Sequence, residues 1–325
     1  MTKLISPVVR RRVRGLLERA GFRVRRVAPG AVLVSRDKTA TKYQLPNDAV
    51  SSRSGLVASL VDGVGEVHVP NAAKVQPLGH GAAMVERPRS ARRHVFDIHK
   101  TLFQRMTTAH VADQLQAYGV NCVIDVGAHK GQYARQLRQA GYDGHIVSFE
   151  PVPEIYAHLE GKAANDPKWT VYGCALGSAE DTLEMNVVSG TMSSILPPSE
   201  YGTGRYKRFR DITPVEVPVR RLDRMLDEII PADLAEPRLY LKMDTQGYDL
   251  EVFAGMGERM HEVVGMQSEV AVLQIYEGMP RLTEAIDTFE KAGFEITGMF
   301  PVTRETGTGR VLEFDCVLAR TAALT

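Results

Sequence analysis

The sequence is poor in cysteine and holds no long apolar run. Its three cysteines, Cys122, Cys174 and Cys316, lie far apart with no Cys-x-x-Cys spacing, which excludes a disulfide scaffold of the secreted kind and a zinc ribbon. Cys122 and Cys316 fall within apolar runs, where a thiol behaves as a small core residue. No stretch approaches the roughly 18 apolar residues that a membrane-spanning helix needs. The N-terminus is basic but lacks an apolar core, since Gly15-Leu16-Leu17-Glu18 breaks off at once, so no signal peptide is expected and the location is expected to be cytoplasmic. The pyrophosphate fingerprint Gly-x-Gly-x-x-Gly is missing, which disfavours a dinucleotide oxidoreductase. Net charge is nearly absent too. The 40 Lys and Arg stand against 39 Asp and Glu, for +1, whereas a dedicated nucleic-acid binder shows a global basic surplus.

What is present is enough apolar content, 44% of 325 residues, for one large domain and a smaller one. The charge balance hides an asymmetry. Residues 1–38 carry eleven Lys and Arg against Glu18 and Asp37, a surplus of +9, which leaves −8 for the rest. Residues 1–91 are expected to form a small basic α+β accessory region. A helix is expected over 7–20, strands at 22–27 and 31–35, and short β pieces within the Gly-, Pro-, Ser- and Asn-rich stretch 45–90. The basic head is either a solvated face or a contact for an anionic surface, nucleic acid or membrane. A unit of this kind also suits contacts between two copies in a homodimer.

The main domain is expected over 92–325. A helical pattern runs from Arg92 to Tyr118 and stops at Gly119. Strand and helix then alternate: strands at 120–126, 145–149, 168–172, 239–243 and within 263–273, with helices at 132–140, 154–164, 250–256 and 282–292. Such alternation predicts a parallel sheet covered on both faces. Strands at 294–300 and 311–318, joined by Thr306-Gly307-Thr308-Gly309, predict a closing hairpin with one reversed strand.

The chemistry is expected at the carboxyl ends of the strands. Asp125-Val126-Gly127-Ala128-His129-Lys130-Gly131 is a strand end followed by a glycine turn, with Gly127 and Gly131 letting backbone approach a ligand. Glu150, before Pro151, ends the second strand where a carboxylate accepts two hydrogen bonds from a ribose diol; its plainer role is to cap the next helix. Ala175 and Leu176 leave room for a flat base. Asp244 ends the fourth strand and faces the crevice, Asp249 is expected to cap the helix that follows, and Glu269 on the fifth strand either points into the same crevice or sits at an edge.

These stretches resemble the FkbM family of S-adenosylmethionine-dependent methyltransferases. The likeness is carried by VIDVGAHKGQYARQLRQAGYDGHIVSFEP (123–151), DPKW and CALG (166–177), MSSIL (192–196), LKMDTQGYDLEVFAG (241–255), EVAVLQIYEGMP (269–280) and TGRVLEFDCVLAR (308–320). The resemblance implies a class I, Rossmann-like methyltransferase fold of seven strands. It further implies that Asp125, Gly127, Ala128 and Gly131 hold the methionyl part of S-adenosyl-L-methionine and Glu150 the ribose; His129, Tyr133, Pro151, Ala175 and Leu176 are expected as further cofactor contacts. The implied reaction is O-methylation of a hydroxyl on a sugar, glycan, glycolipid or other small natural product. His129 and Gln246 depart from the common Asn and Glu of such motifs.

An alcohol acceptor must lose a proton, which requires a placed base. Asp244 or Glu269 is expected to fill that role, with His129 a third candidate. Alternatively Asp244 binds Mg²⁺ that acidifies the hydroxyl, although no clustered ligand set is visible. Residues 189–214 are long for a loop and carry Tyr201, Tyr206 and Phe209, so they are expected to form an acceptor lid. The competing reading is a non-catalytic cofactor-binding scaffold.

Overall fold

A computed structural model gives the architecture. It describes residues 103–325 apart from 233, 235, 306 and 325, and, before residue 103, the backbone of six strands and of a helix that starts at Ala91. The chain divides into two compact units, 1–102 and 103–325. In the first, β1 (Phe22–Ala28), β2 (Ala31–Arg36), β5 (Lys74–Gly79) and β6 (Ala82–Glu86) form an antiparallel sheet in the order β1-β2-β6-β5, while β3 (Val57–Val61) and β4 (Val64–His68) pair as a hairpin. The helix expected over 7–20 and the contacts proposed for the basic head lie outside the described residues.

Helix α1 (Ala91–Ala117) ends where Gly119 takes a left-handed backbone. Then follow β7 (Cys122–Val126), α2 (Gln132–Ala140), β8 (His145–Phe149), α3 (Pro153–Ala163), β9 (Trp169–Tyr172), β10 (Ala175–Leu176), β11 (Asp181–Val187), α4 (Glu200–Arg205), β12 (Thr213–Arg220), α5 (Leu222–Ile229), β13 (Leu239–Met243), α6 (Asp249–Ala254), β14 (Val263–Ala271), α7 (Leu282–Lys291), β15 (Glu295–Arg304) and β16 (Val311–Ala319). Seven strands form one sheet in the order β15-β16-β14-β13-β7-β8-β9. β16 alone runs against the other six strands, so the hairpin and the single reversed strand are as expected.

Alternation along the strands sorts side chains into two cores, because successive residues face opposite sides of a sheet. Cys122, Ile124, Val126, Leu239, Leu241 and Met243 pack with Leu222, Leu226, Val252 and Phe289 from α5, α6 and α7. Val123 and Tyr240 pack on the opposite side with Val111, Leu115, Ala134, Leu137 and Leu159 from α1, α2 and α3. All three cysteines are buried. One row on the α1–α2–α3 side is polar: Ser148, Asp125, Lys242 and Gln267 stand opposite one another across β8, β7, β13 and β14. Polar side chains in a buried row persist only where each finds a partner: Asp125 pairs with Ser148 and Lys242, and Gln267 with Tyr133 and Asp315.

A second sheet, in the order β10-β12-β11, lies beside the cavity and is not legible in the strand pattern. The segment expected to be an open acceptor lid is instead ordered. It holds α4 and a 3₁₀ turn over Lys207–Arg210. Phe209 is buried edge-on to Tyr276, with ring centroids 5.5 Å apart, and Tyr201 donates a hydrogen bond to Glu305 Oε1 at 2.5 Å. Phe209 is spent on packing, Tyr201 and Tyr206 stay half-buried, and none of the three lines the cavity at the strand ends.

Candidate functional site

Where β7, β8 and β13 end, their loops surround a cavity open to solvent. It lies at the edge where open α/β sheets place a ligand. Each loop is shaped by a specific constraint. After β7, Gly127 and Gly131 take positive φ, and so does the non-glycine His129 (φ 46°). After β13, Gln246 (φ 55°) does the same. His129 and Gln246 are the only two described non-glycine residues with positive φ, and both line the cavity. Backbone strain of this kind, held by its surroundings, concentrates at functional sites.

Glu150 forms one wall. Its Oε2 accepts from the His129 backbone N–H at 2.9 Å and its Oε1 from the Val152 N–H at 3.0 Å. Burial pushes its pKa up to about 7, against the opposing pull of those two N–H groups. Pro151, Ile155, Cys174, Ala175, Leu176 and Met185 extend this wall as a mostly apolar slot. His129 adds its ring beside Gln132 Nε2 at 3.2 Å; burial keeps its pKa below the ordinary imidazole value.

Asp244 faces the cavity from the other side. Its backbone N–H donates to Val126 O at 3.1 Å, and its carboxylate, 44% exposed, lies 3.7 Å from Lys242 Nζ. Gln246 Nε2 donates to Asp244 Oδ1 at 3.2 Å and to Glu269 Oε2 at 2.8 Å, so a single amide joins two carboxylates. Glu269 sits behind Asp244 and does not line the cavity; burial first, then the charge of Glu313 and Asp244, pushes its pKa well up. Asp249 is not a helix cap. It is buried, accepting from the Thr245 N–H at 2.9 Å, from the Thr245 hydroxyl, and from Ser268 Oγ at 2.7 Å.

The roof is the loop after β11. Gly190, Thr191, Ser193 and Ile195 line the cavity. Ser194 Oγ donates to Gln246 O at 2.8 Å, Tyr276 Oη lies 2.9 Å from Met192 O, and Arg208 donates to Ser189 O at 3.3 Å. The covering element is therefore 188–196, shorter than the expected lid and fastened to the β13 loop.

Of the residues singled out in the sequence, Gly127, His129, Glu150, Pro151, Ala175, Leu176 and Asp244 line one cavity. Asp125, Ala128, Gly131, Tyr133 and Glu269 do not. Gly131 serves packing, since a Cβ there would stand 2.6 Å from the Trp169 ring, and Tyr133 is buried behind the loop with its Oη 3.3 Å from Gln267 Oε1. Lys242, Thr191 and Tyr248 belong to the site or its support without a motif pointing to them, and Gln246, which stands out only as a departure from the motif, lines the cavity. The only sequence signal for Lys242 is a lysine inside the apolar strand LYLKM. Among the described residues no group of three or more His, Cys, Asp or Glu is placed to hold a metal ion, so the alternative of Mg²⁺ at Asp244 has no such ligand set among them.

A parallel sheet with one reversed strand, a glycine turn after its first strand and an acid at the end of the second define a class I S-adenosylmethionine-dependent methyltransferase. The methyltransferase FkbM domain matches residues 125–296, and the chain belongs to that family. Similar proteins include methyltransferase sdnD of Sordaria araneosa, 28% identical over 218 residues that cover 60% of this chain and 82% of that one. The 2-O-methyltransferase NoeI of Sinorhizobium fredii is 25% identical over 187 residues, covering 55% and 74%. Among solved structures, magnesium protoporphyrin IX methyltransferase of Synechocystis with bound S-adenosylmethionine superposes at a TM-score of 0.38 with 11% identity, over 72% of this chain and 90% of that one. Among the described residues no helix is long and apolar enough to cross a membrane.

Proposed function

We propose that this chain transfers the methyl group of S-adenosylmethionine to a hydroxyl oxygen of a sugar or comparable small polyol, with Asp244 as the base. One observation carries the proposal: the carboxylate of Asp244 and that of Glu150 face one cavity from opposite sides. The residues suit the cofactor. Glu150 keeps lone pairs free beyond its two backbone donors and can accept from a ribose diol. Cys174, Ala175 and Leu176 shape a slot for a flat base, and the turn at Gly127 and His129 offers backbone to the methionyl end. When bound, S-adenosylmethionine supplies an electrophilic methyl carbon, taken by in-line displacement. The chain's own groups then do the rest. Asp244 accepts the acceptor's hydroxyl proton. Gln246 holds that carboxylate in register against Glu269, and the 188–196 loop narrows access of water. The neutral His129 ring is available as a hydrogen-bond partner for the acceptor.

The name of NoeI, a 2-O-methyltransferase, supports oxygen as the target atom. The test is incubation of the full chain with S-adenosylmethionine and a panel of methyl glycosides, following release of S-adenosylhomocysteine and locating the new methyl by mass spectrometry. Transfer to a ring hydroxyl is the expected result. Transfer only to nitrogen or carbon, or tight cofactor binding with no transfer to any extracted acceptor, overturns it. The latter outcome returns the non-catalytic scaffold.

A further inference from the structure

Asp125 ends β7, where a carboxylate for the cofactor is anticipated, yet its side chain is fully enclosed and does not line the cavity. Its Oδ2 accepts from Ser148 Oγ at 3.2 Å. Its Oδ1 lies 3.0 Å from Nζ of Lys242. Lys242 is itself only 4% exposed, and it is the group that reaches the site. Its ammonium donates to Val126 O at 3.3 Å and Gly127 O at 3.2 Å, and stands 3.7 Å from Asp244 Oδ2. The Tyr133 ring closes its remaining side, 5.3 Å from Nζ. Burial alone would lower the lysine pKa; Asp125 and Asp244 together outweigh that and hold it charged.

We infer that Asp125 serves the cofactor site at one remove, as the counter-ion of Lys242, and that Lys242 is the positioning residue tying the glycine turn after β7 to the carboxylate after β13. Two acids and one ammonium leave one net negative charge, and only Asp244 presents it to the cavity. That charge suits a ligand bearing one surplus positive charge. Charge at an enclosed edge acts through a lower dielectric than water and is felt strongly. The inference rests on this cavity being the seat of S-adenosylmethionine.

The experiment compares two ligands that differ only at sulfur. S-adenosylmethionine carries the sulfonium charge; S-adenosylhomocysteine lacks it but keeps the same amino acid and nucleoside. Calorimetry gives both affinities for the wild type, Asp125→Asn, Lys242→Met and the double variant. Asp125→Asn is expected to weaken the sulfonium ligand about threefold or more relative to the neutral one, and Lys242→Met to shift the ratio the opposite way. The double variant restores the wild-type net charge and brings the ratio back to within about twofold. Loss of fit alone would weaken both ligands together. If Asp125→Asn lowers both affinities equally and the double variant does not recover, Asp125 touches the cofactor directly and the inference is overturned. Where a single variant does not fold, the neutral double decides, since it leaves no buried charge unpaired. Wild-type-like affinity for both ligands supports the inference, and a loss of about tenfold or more in both overturns it. A wild type that binds neither ligand overturns the assignment of the cavity itself.

Discussion

Gly127 and Asp244 touch so closely that a side chain cannot come between them: a Cβ built on Gly127 would stand 2.1 Å from the Asp244 carbonyl oxygen. The contact fixes the spacing of the two loops that face each other across the cavity. Gly127 also sits at φ +76°, which L side chains adopt at a cost. Gly127→Ala is therefore expected to lose about 2–4 kcal/mol of stability, through both strain and the forced separation of the loops. Thermal unfolding measures it, and an unchanged midpoint would show that the loops separate freely.

Replacing the proposed base keeps the shape and removes its proton affinity. Asp244→Asn is expected to weaken S-adenosylmethionine relative to S-adenosylhomocysteine by at least as much as Asp125→Asn, while turnover at saturating cofactor falls by about 10²–10⁴. Wild-type turnover would remove Asp244 from the mechanism.

Glu150 makes cofactor binding depend on pH. Its carboxyl, near 4.5 in an unfolded chain, is raised to about 7 in the fold by burial. Between those values the folded state holds the proton more tightly than the unfolded one. Its contribution to the stability of the free protein is thus present below about 4.5 and lost as pH rises through 7. A ribose diol donates to the ionised form, so affinity for S-adenosylmethionine should climb toward pH 7, by at most about tenfold per unit, and then level off. Calorimetry across pH 5.5–8 would record this together with proton release on binding. Glu150→Gln is expected to weaken binding and flatten the profile; a slope that survives the substitution comes from another group.

Tyr276 fastens the roof. Its hydroxyl lies 2.9 Å from Met192 O and 3.0 Å from Gln246 Oε1, and the residue is 1% exposed. Tyr276→Phe leaves buried acceptors unmet and should cost about 1–3 kcal/mol. Amide exchange over 188–196 should quicken, while β7 and β13, held by the sheet, keep their protection. Equal exchange in wild type and variant would mean the loop is held by its other contacts.

The main sheet was legible because its signals are local. The apolar run 120–126 before Gly127, the acid Glu150 at a strand end, and the glycine-linked final hairpin each declare themselves within a few residues. The β10-β12-β11 sheet was not, because Pro214 and Pro218 argue against a paired strand, although β12 lies in the middle of this sheet. The aromatic residues 201–209 read as a lid because composition does not tell a stacking face from a packed one. Lys242 escaped notice for a different reason. Its partners Asp125 and Gly127 lie well over a hundred positions away in sequence, and only the parallel register of β7 and β13 brings them together. Gln246 adopts a left-handed backbone that its residue type disfavours, so no local propensity points to its turn.

β16 sits inside the sheet, between β14 and β15, although it comes last of the seven strands in chain order. During synthesis β14 therefore emerges as an open edge, and β15 has no neighbour until residues 311–319 leave the ribosome. The Asp315 carboxylate that receives Gln267 Nε2 at 3.0 Å arrives with that strand. A nascent chain stopped at residue 310 would thus expose a sticky β14 edge instead of a slightly trimmed enzyme. Completion of the sheet waits for residues 311–319.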